Sequence, residues 1–390
     1  MAFSYRLVYN TSAEINTHTE FFEMLKIRDF IKQELTFCIA LIAALISCFF
    51  VHPDKEYIGY IDLRTLALLY CLMVVVAGLR RAGVFARLSH VLCRRAKSAR
   101  QLALLLVLMC FFSAMFVTND VALLTFVPFA VAVLGMAHLE KDLIWVVVLQ
   151  TVAANLGSVL LPVGNPQNLF LYSYFGIEMA DFLKITAPIW IISLAAVLLL
   201  CLPVKKTEID VFLGEQPILN KKCLTVYTWL FVCCLLVVFR LVDWPVLLAV
   251  IVVVCFLYDK KRLLSADFML LATFVCFFVF SGNLARIESV DTLLRKILDG
   301  KVMLTGALTS QVISNVPAAL LLSGFTEDAK SLLLGVNIGG LGTPIASLAS
   351  LISLKLYSHA ENAQTGAYLR VFSVVNFILL AVFLLIGSVL

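Results

Sequence analysis

Thr118-Asn119-Asp120 interrupts a long apolar stretch, and Asp120 is the only acidic residue between Arg100 and Glu140. Further along come Asn155-Leu156-Gly157 and Pro162-Val163-Gly164-Asn165-Pro166. The second half carries Ser314-Asn315-Val316-Pro317, then Asn337-Ile338-Gly339 and Thr343-Pro344-Ile345-Ala346-Ser347. Asn155, Gly157 and Pro162 fall on Asn337, Gly339 and Pro344 without a gap. Hydroxyl and amide side chains both donate and accept hydrogen bonds. A helix interrupted by Gly and Pro offers carbonyls at one broken end and amides at the other, with partial charges of opposite sign. Such a set suits a cation held beside an anion or a polarised oxygen. The plainer readings are that Gly and Pro allow close packing or kinks in membrane helices, and that Asp120 caps a helix over 121–137.

What surrounds these residues decides how much that chemistry costs. Of 390 residues, 62% are hydrophobic and 14% charged, against about 25% charged in soluble domains. The chain therefore reads as an all-α polytopic membrane protein. A carboxylate near the bilayer centre costs on the order of 3 kcal/mol on insertion scales, so Asp120 should have a partner or a task, binding a proton or a cation. The net charge of +5 comes from Lys and Arg in short segments between apolar runs; this is the positive-inside pattern and not a nucleic-acid surface. The eleven cysteines lie almost entirely in apolar runs without metal-type spacing, so they read as small apolar residues. No cofactor is implied.

Apolar runs long enough to cross a bilayer (about 20 residues) are expected near 34–52, 64–79, 142–163, 183–203, 224–240, 244–258, 267–282, 331–355 and 369–390. Two further regions, about 101–137 and 301–325, read as helical hairpins with Asn119 and Asn315 at their tips. Arg80, Arg81, Arg87, Arg94, Arg95, Lys97 and Arg100 crowd one connection, which places it in the cytoplasm. The count is then about nine full transmembrane helices, two re-entrant hairpins and two discontinuous helices, N-terminus cytoplasmic and C-terminus outside. The expected organisation is a cytoplasmic N-terminal segment (1–33), a first repeat (34–204, hairpin about 101–137, broken helix about 142–175), a cytoplasmic linker (205–223) and a second repeat (224–390, hairpin about 301–325, broken helix about 331–355). The first block exits inward and the second outward, so the repeats are inverted, as in secondary transporters. Asp181, Asp243, Asp267 and Glu327 read as end-of-helix charges, and Trp145, Trp190, Trp229 and Trp244 as interfacial belts.

Thr-Asn-Asp-Val-Ala-Leu-Leu-Thr-Phe-Val-Pro (118–128), Gly-Asn-Pro-Gln-Asn (164–168) and Ser-Asn-Val-Pro-Ala (314–318) resemble the ion transporter superfamily. They are most similar to its arsenical-efflux and citrate-transporter-domain branch, and within it to an uncharacterised bacterial inner-membrane group. The similarity runs from about residue 36 to 390. It implies a scaffold with a moving transport domain (elevator-type alternating access), a homodimer, and a solute site formed by Thr118, Asn119, Asp120, Ser314 and Asn315 with the unwound stretches 155–165 and 337–347. Within those stretches Asn155, Gly157, Gly164, Asn165, Asn337, Gly339, Thr343 and Ser347 are the candidate contacts. The dicarboxylate branch usually shows Ser-Asn-Thr at both tips; the acidic first tip here looks like the branch that exports weakly ionised oxyacids such as arsenite or silicic acid against protons.

The leading expectation is a secondary active transporter in the plasma membrane (the bacterial inner membrane), moving a small inorganic or organic anion or oxyacid coupled to H⁺ or Na⁺. A Na⁺/H⁺ antiporter using Asp120 and a passive channel are the alternatives. An intramembrane enzyme would need clustered His, Glu or Asp ligands or a nucleophile–base pair, which the spacing does not supply. No nucleotide-binding loop is present, so any ATP dependence would require a separate ATPase subunit.

Overall fold

The helices begin where the sequence supplies caps. Asp62, Ser98, Asn220, Asp267 and Asp328 each accept a hydrogen bond from the backbone N–H three residues on, at 2.9 to 3.4 Å, which satisfies one of the orphan donors of a first turn. The computed structural model describes residues 34–209, 217–361 and 363–390. The expected N-terminal segment 1–33 and the middle of the linker 205–223 lie outside the described residues. Within them the chain is helical, without strands.

The first half contains α1 (Leu35–Phe50), α2 (Glu56–Tyr60), α3 (Leu63–Arg81), α4 (Val84–Cys93), α5 (Ala99–Val117), α6 (Asn119–Met136), α7 (Glu140–Gly157), α8 (Pro166–Tyr174) and α9 (Met179–Leu200). The second contains α10 (Lys221–Val238), α11 (Trp244–Tyr258), α12 (Phe268–Ala285), α13 (Glu288–Leu298), α14 (Val302–Ile313), α15 (Asn315–Leu322), α16 (Ala329–Ile338), α17 (Leu348–Ser358) and α18 (Thr365–Gly387). Helices α5 and α6 form the first hairpin and α14 and α15 the second. Helices α7 and α8 are the two parts of one interrupted helix and α16 and α17 of the other, each pair separated by an irregular stretch with a single 3₁₀ turn at Pro162–Gly164 or Pro344–Ala346.

Seven described helices are long and apolar enough to cross a membrane: α3, α5, α6, α9, α10, α12 and α18. The chain is an all-α multi-pass membrane protein. Helices α1 and α11, expected as full spans, have 16 and 15 residues. The hairpins differ in length as well. The arms of the first have 19 and 18 residues, enough to cross by length alone. Those of the second have 12 and 8, or about 18 and 12 Å at 1.5 Å per residue, well short of a ~30 Å hydrocarbon core.

Packing divides the apolar interior into two cores, and each draws on both halves of the chain. One is built on the first hairpin with α7 and α9, together with α17 and α18. The other is built on α3, α10, α11, α12 and the second hairpin's α15, together with α8. The first interrupted helix thus leaves one core at its break and enters the other, whereas α16 contributes to both cores, Leu334 and Ile338 to the first and Leu332, Leu333 and Val336 to the second. Close backbone approach makes this possible. A Cβ on Gly157 of α7 would lie 2.1 Å from the Phe111 carbonyl oxygen of α5. On Gly335 of α16 it would lie 2.4 Å from the Met303 carbonyl of α14. Each hairpin's first arm therefore lies backbone-to-backbone on the helix that precedes a break, as small residues permit in membrane interiors.

At one end of the molecule, Asn283 of α12 donates to Ser47 Oγ at 2.9 Å and Tyr57 OH at 2.8 Å. Arg286 pairs with Asp54 at 2.8 Å, and its guanidinium holds the Asp54 carboxyl below the ordinary carboxylate range. These contacts tie α1 and α2 to α12.

Gly157→Ala and Gly335→Ala should each destabilise the protein by about 1–3 kcal/mol, since neither backbone can yield to the added methyl without shifting a helix. Gly135→Ala in α6, where a Cβ meets nothing within 4 Å, should be neutral or stabilising by up to about 1 kcal/mol. Thermal melting of the three purified variants separates the two outcomes.

Candidate functional site

Both hairpins turn through the same unusual backbone geometry. Thr118 has φ 74° and ψ 150°, and Ser314 has φ 76° and ψ 157°. This region is nearly confined to glycine, and a residue with a Cβ held there costs on the order of 1–3 kcal/mol. The hydroxyl residue is kept at both tips although glycine would fit the bend better. Asn119 and Asn315 follow as the first residues of α6 and α15, 4% and 3% exposed.

The polar side chains of the two breaks are joined crosswise. Asn155, in the last turn of α7, accepts from Asn119 Nδ2 at 3.1 Å and from Ser347 Oγ at 2.9 Å through its Oδ1. Its Nδ2 donates to the Gly340 carbonyl at 3.2 Å and Ser350 Oγ at 3.3 Å. Asn337, in the last turn of α16, makes the mirrored set: Asn165 Nδ2 donates to its Oδ1 at 3.2 Å, and its Nδ2 donates to Asn168 Oδ1 at 2.6 Å. One spacing in sequence relates Asn155 to Asn337, Asn165 to Ser347 and Asn168 to Ser350. Each break is therefore closed by residues of the other half, as a pseudo-twofold arrangement requires.

The carbonyls freed by the breaks are not left open. Trp190 Nε1 donates to Gly157 O at 3.1 Å, Asn168 Nδ2 to Ser158 O at 3.4 Å and Val159 O at 3.2 Å, and Thr186 Oγ1 to Leu160 O at 3.2 Å. At the second break, Gln311 Nε2 donates to Gly339 O at 2.8 Å and Leu341 O at 3.0 Å, while Asn155 takes Gly340 O. Sequence reading expects free carbonyls here; side chains of α9, α8 and α14 cap them, because an unsatisfied carbonyl in a dry interior costs several kcal/mol. Trp190, expected in an interfacial belt, packs its ring on Phe111 at 5.2 Å between centroids at the end of α7.

Space remains on one side of this network. A cavity of about 560 Å³ is lined by Thr118, Asp120 and Asn165 of this region. Along one wall lie Leu69, Leu72, Met73 and Val76 of α3; Arg80, Arg81, Arg262 and Asp267 line it at the far ends of α3 and near the start of α12. Asp259 pairs with Arg81 and, at 3.2 Å, with Arg262, linking the two halves beside that mouth. Asp267 caps α12 and faces the cavity as well. Asp120 does not cap the helix as expected, since α6 begins one residue earlier at Asn119 with Thr118 in the capping position and no side-chain capping bond; the Asp120 N–H donates to Asn119 Oδ1 at 3.0 Å. Its own Oδ1 is buried with no hydrogen-bond partner, although the first turn of a helix favours negative charge there.

Of the candidate residues, Thr118, Asp120 and Asn165 reach the cavity. Asn119, Asn155, Asn337 and Ser347 form the network behind it. Gly157 and Gly339 supply close approach to α5 and α14, and Gly164 lets its loop pass 2.1 Å from where a Cβ would meet Ser158 O. Ser314 donates to Ala346 O at 3.4 Å, and Asn315 Nδ2 lies beside Gly340, so the second tip rests on the second break. Thr343 is fixed on Gln311, its N–H donating to Oε1 at 2.8 Å and its hydroxyl to the Gln311 carbonyl at 3.0 Å. Sequence reasoning missed Gln311 and Trp190. Asn168 and Ser350 were readable, since they continue the Asn165–Ser347 register.

The sequence profile of the citrate transporter family matches residues 27–331. The chain belongs to that family. An uncharacterised transporter of Methanocaldococcus jannaschii is 31% identical over 317 residues, 81% of this chain and 86% of the relative. Inner membrane protein YbiR of Escherichia coli is 30% identical over 328 residues, 82% and 86% of the two chains. The silicon efflux transporter LSI3 of Oryza sativa is 29% identical over 168 residues, 43% of this chain and 34% of the relative. With the helical membrane fold, this makes the chain a membrane transporter of the citrate transporter family.

Thr118→Gly and Ser314→Gly should each raise thermal stability by about 1 kcal/mol through release of backbone strain. Asn155→Ala should lower it by about 1–3 kcal/mol, because Asn119 and Ser347 both lose a buried acceptor. Melting temperatures of the single variants test these signs directly.

Proposed function

We propose that this transporter is secondary active and moves a small anion or its neutral oxyacid, arsenite- or silicate-like or a carboxylate, by exchange with H⁺ or Na⁺ held at Asp120. The observation that carries this is a carboxylate oxygen without a partner on a residue that lines a cavity, with Thr118 and Asn165 lining it as well. An unpaired carboxylate in that place favours uptake of a proton or a cation. Hydroxyl and amide groups match the oxygens of an oxyacid, and Arg80, Arg81 and Arg262 at the mouth attract anions toward it.

Size separates this from the antiporter reading. A bare Na⁺ or proton needs only the carboxylate and a few oxygens, whereas a cavity of about 560 Å³ lies within the range of small-molecule sites. The identity to the rice silicon efflux transporter, though partial in coverage, supports an oxyacid and export.

The walls suggest how access alternates. Beside the polar contacts of the first hairpin and the first break, α3 lines the cavity with apolar residues from Leu69 to Ala77 before Arg80 and Arg81. A polar unit carried past a smooth apolar wall fits elevator-type movement, with Asn155, Asn337 and their partners keeping hairpins and breaks together as one body. In this reading the hairpins are re-entrant, the repeats are inverted, and the cavity faces the cytoplasm, since the basic clusters at its mouth follow the positive-inside rule. The N-terminus is then cytoplasmic and the C-terminus outside. A homodimer in the plasma membrane, with or without a separate ATPase subunit, completes the proposal.

In proteoliposomes, Asp120→Asn should abolish pH-gradient-driven flux of arsenite, silicic acid or citrate, whichever the wild type carries, while the melting curve stays cooperative. Undiminished gradient-driven flux in that variant removes Asp120 from coupling. Thr118→Val should weaken solute binding by about tenfold, the effect of roughly 1.4 kcal/mol, without changing the dependence on pH. Na⁺-driven proton movement with no other solute present would favour the antiporter instead.

A further inference from the structure

The two halves of the molecule share one plan, and the cavity described above is lined by Thr118 and Asp120 of the first tip but by neither Ser314 nor Asn315 of the second. At the second break the corresponding space is filled by the protein itself. Gln311, in the last turn of α14, turns its amide nitrogen into three main-chain carbonyls: Ala307 O at 3.0 Å, Gly339 O at 2.8 Å and Leu341 O at 3.0 Å. Its Oε1 accepts from Thr343 N at 2.8 Å, and its own carbonyl accepts from Thr343 Oγ1 at 3.0 Å. The fit is tight, for a Cβ placed on Gly342 would lie 2.1 Å from Oε1. Gly342 itself has φ 102°, a backbone conformation that leaves room for this amide.

Three carbonyls converging on one point, drawn from a helix and from an unwound break, are the arrangement by which unwound membrane helices hold Na⁺. An amide NH₂ is neutral but presents partial positive charge to the same oxygens. The first hairpin places Met115 at the position four residues before its Asn, where the second places Gln311. Polar filling by the hairpin itself is therefore confined to the second half. The second tip also carries Val316 where the first carries Asp120.

We propose that Gln311 is a built-in substitute for a monovalent cation, so the second half binds no coupling ion and the ion stoichiometry is set at Asp120 alone. This rests on the reading of the protein as an ion-coupled transporter and deepens it by assigning the ion to one half.

The test reads ion binding rather than transport, and it uses the full-length Asp120→Asn protein so that any remaining Na⁺ response comes from elsewhere. Its melting temperature is measured in NaCl and in choline chloride at equal ionic strength. The expected result is no saturable difference between the two salts. The Asp120→Asn/Gln311→Glu protein is then measured across pH. A carboxylate facing the Gly339 and Leu341 carbonyls is tolerated when it is protonated or when a cation sits between them. In choline the melting temperature should fall by several degrees as pH rises, and NaCl or LiCl should restore it. Gln311→Lys, which puts a permanent cation among the same carbonyls, should melt alike in both salts.

Saturable stabilisation of Asp120→Asn by Na⁺ would overturn the proposal by itself, whether or not the Glu variant folds. So would a Glu variant that folds and is indifferent to both pH and Na⁺. Neither result depends on transport. A failure of Asp120→Asn to lose gradient-driven flux would count against the coupling reading and leave the Gln311 cage standing.

Discussion

A helix cannot be broken inside a membrane unless the protein itself satisfies the groups that the break releases. The rest of this structure follows from how that requirement is met at two places. Gly157, Ser158, Val159 and Leu160 give up helical partners at one break and accept from Trp190, Asn168 and Thr186 instead. Gly339, Gly340 and Leu341 do the same with Gln311 and Asn155. Since the donors come from other helices, the break carbonyls are satisfied only in the assembled fold.

That dependence explains the crosswise architecture. Asn155 and Asn337 each reach residues beyond the opposite break, so the two halves are interlocked and not merely adjacent. The two apolar cores repeat the exchange at larger scale, with α8 entering the core of the second hairpin and α17 that of the first. Glycines at 157 and 339 bring the hairpin backbones close enough for short side chains to bridge them. Buried polar networks of this kind are favourable only when every member is paired. Asp120 stands apart from the Asn network because its Oδ1 has no partner, which is why the chemistry is assigned there.

Symmetry in the sequence hides an asymmetry in space. The repeats match through Asn, Gly and Pro, and both tips share one strained backbone conformation. Their surroundings differ, however: the first tip opens on a cavity bounded by α3, whereas the second is held by Gln311 and Ala346. Here one half supplies a carboxylate and the other supplies an amide that fills its own space.

The sequence by itself determined that this is a helical membrane protein, and that Asn, Gly and Pro recur in register at two breaks. Both follow from local physics, since apolar length decides insertion and a polar helix breaker in lipid needs a reason. Sequence also marked Asp120, because a lone carboxylate in a long, mostly apolar stretch is costly inside a membrane. What only the tertiary structure decided was pairing. Asn155 meets Ser347 and Ser350, some two hundred residues away in sequence, and nothing in local spacing names those partners. The bonds of Gln311 and Trp190 to the break carbonyls exist only because α14 and α9 are packed against the breaks. Hydrogen bonds between side chains depend on where helices cross, and crossing is fixed by close packing over the whole molecule rather than by any one segment.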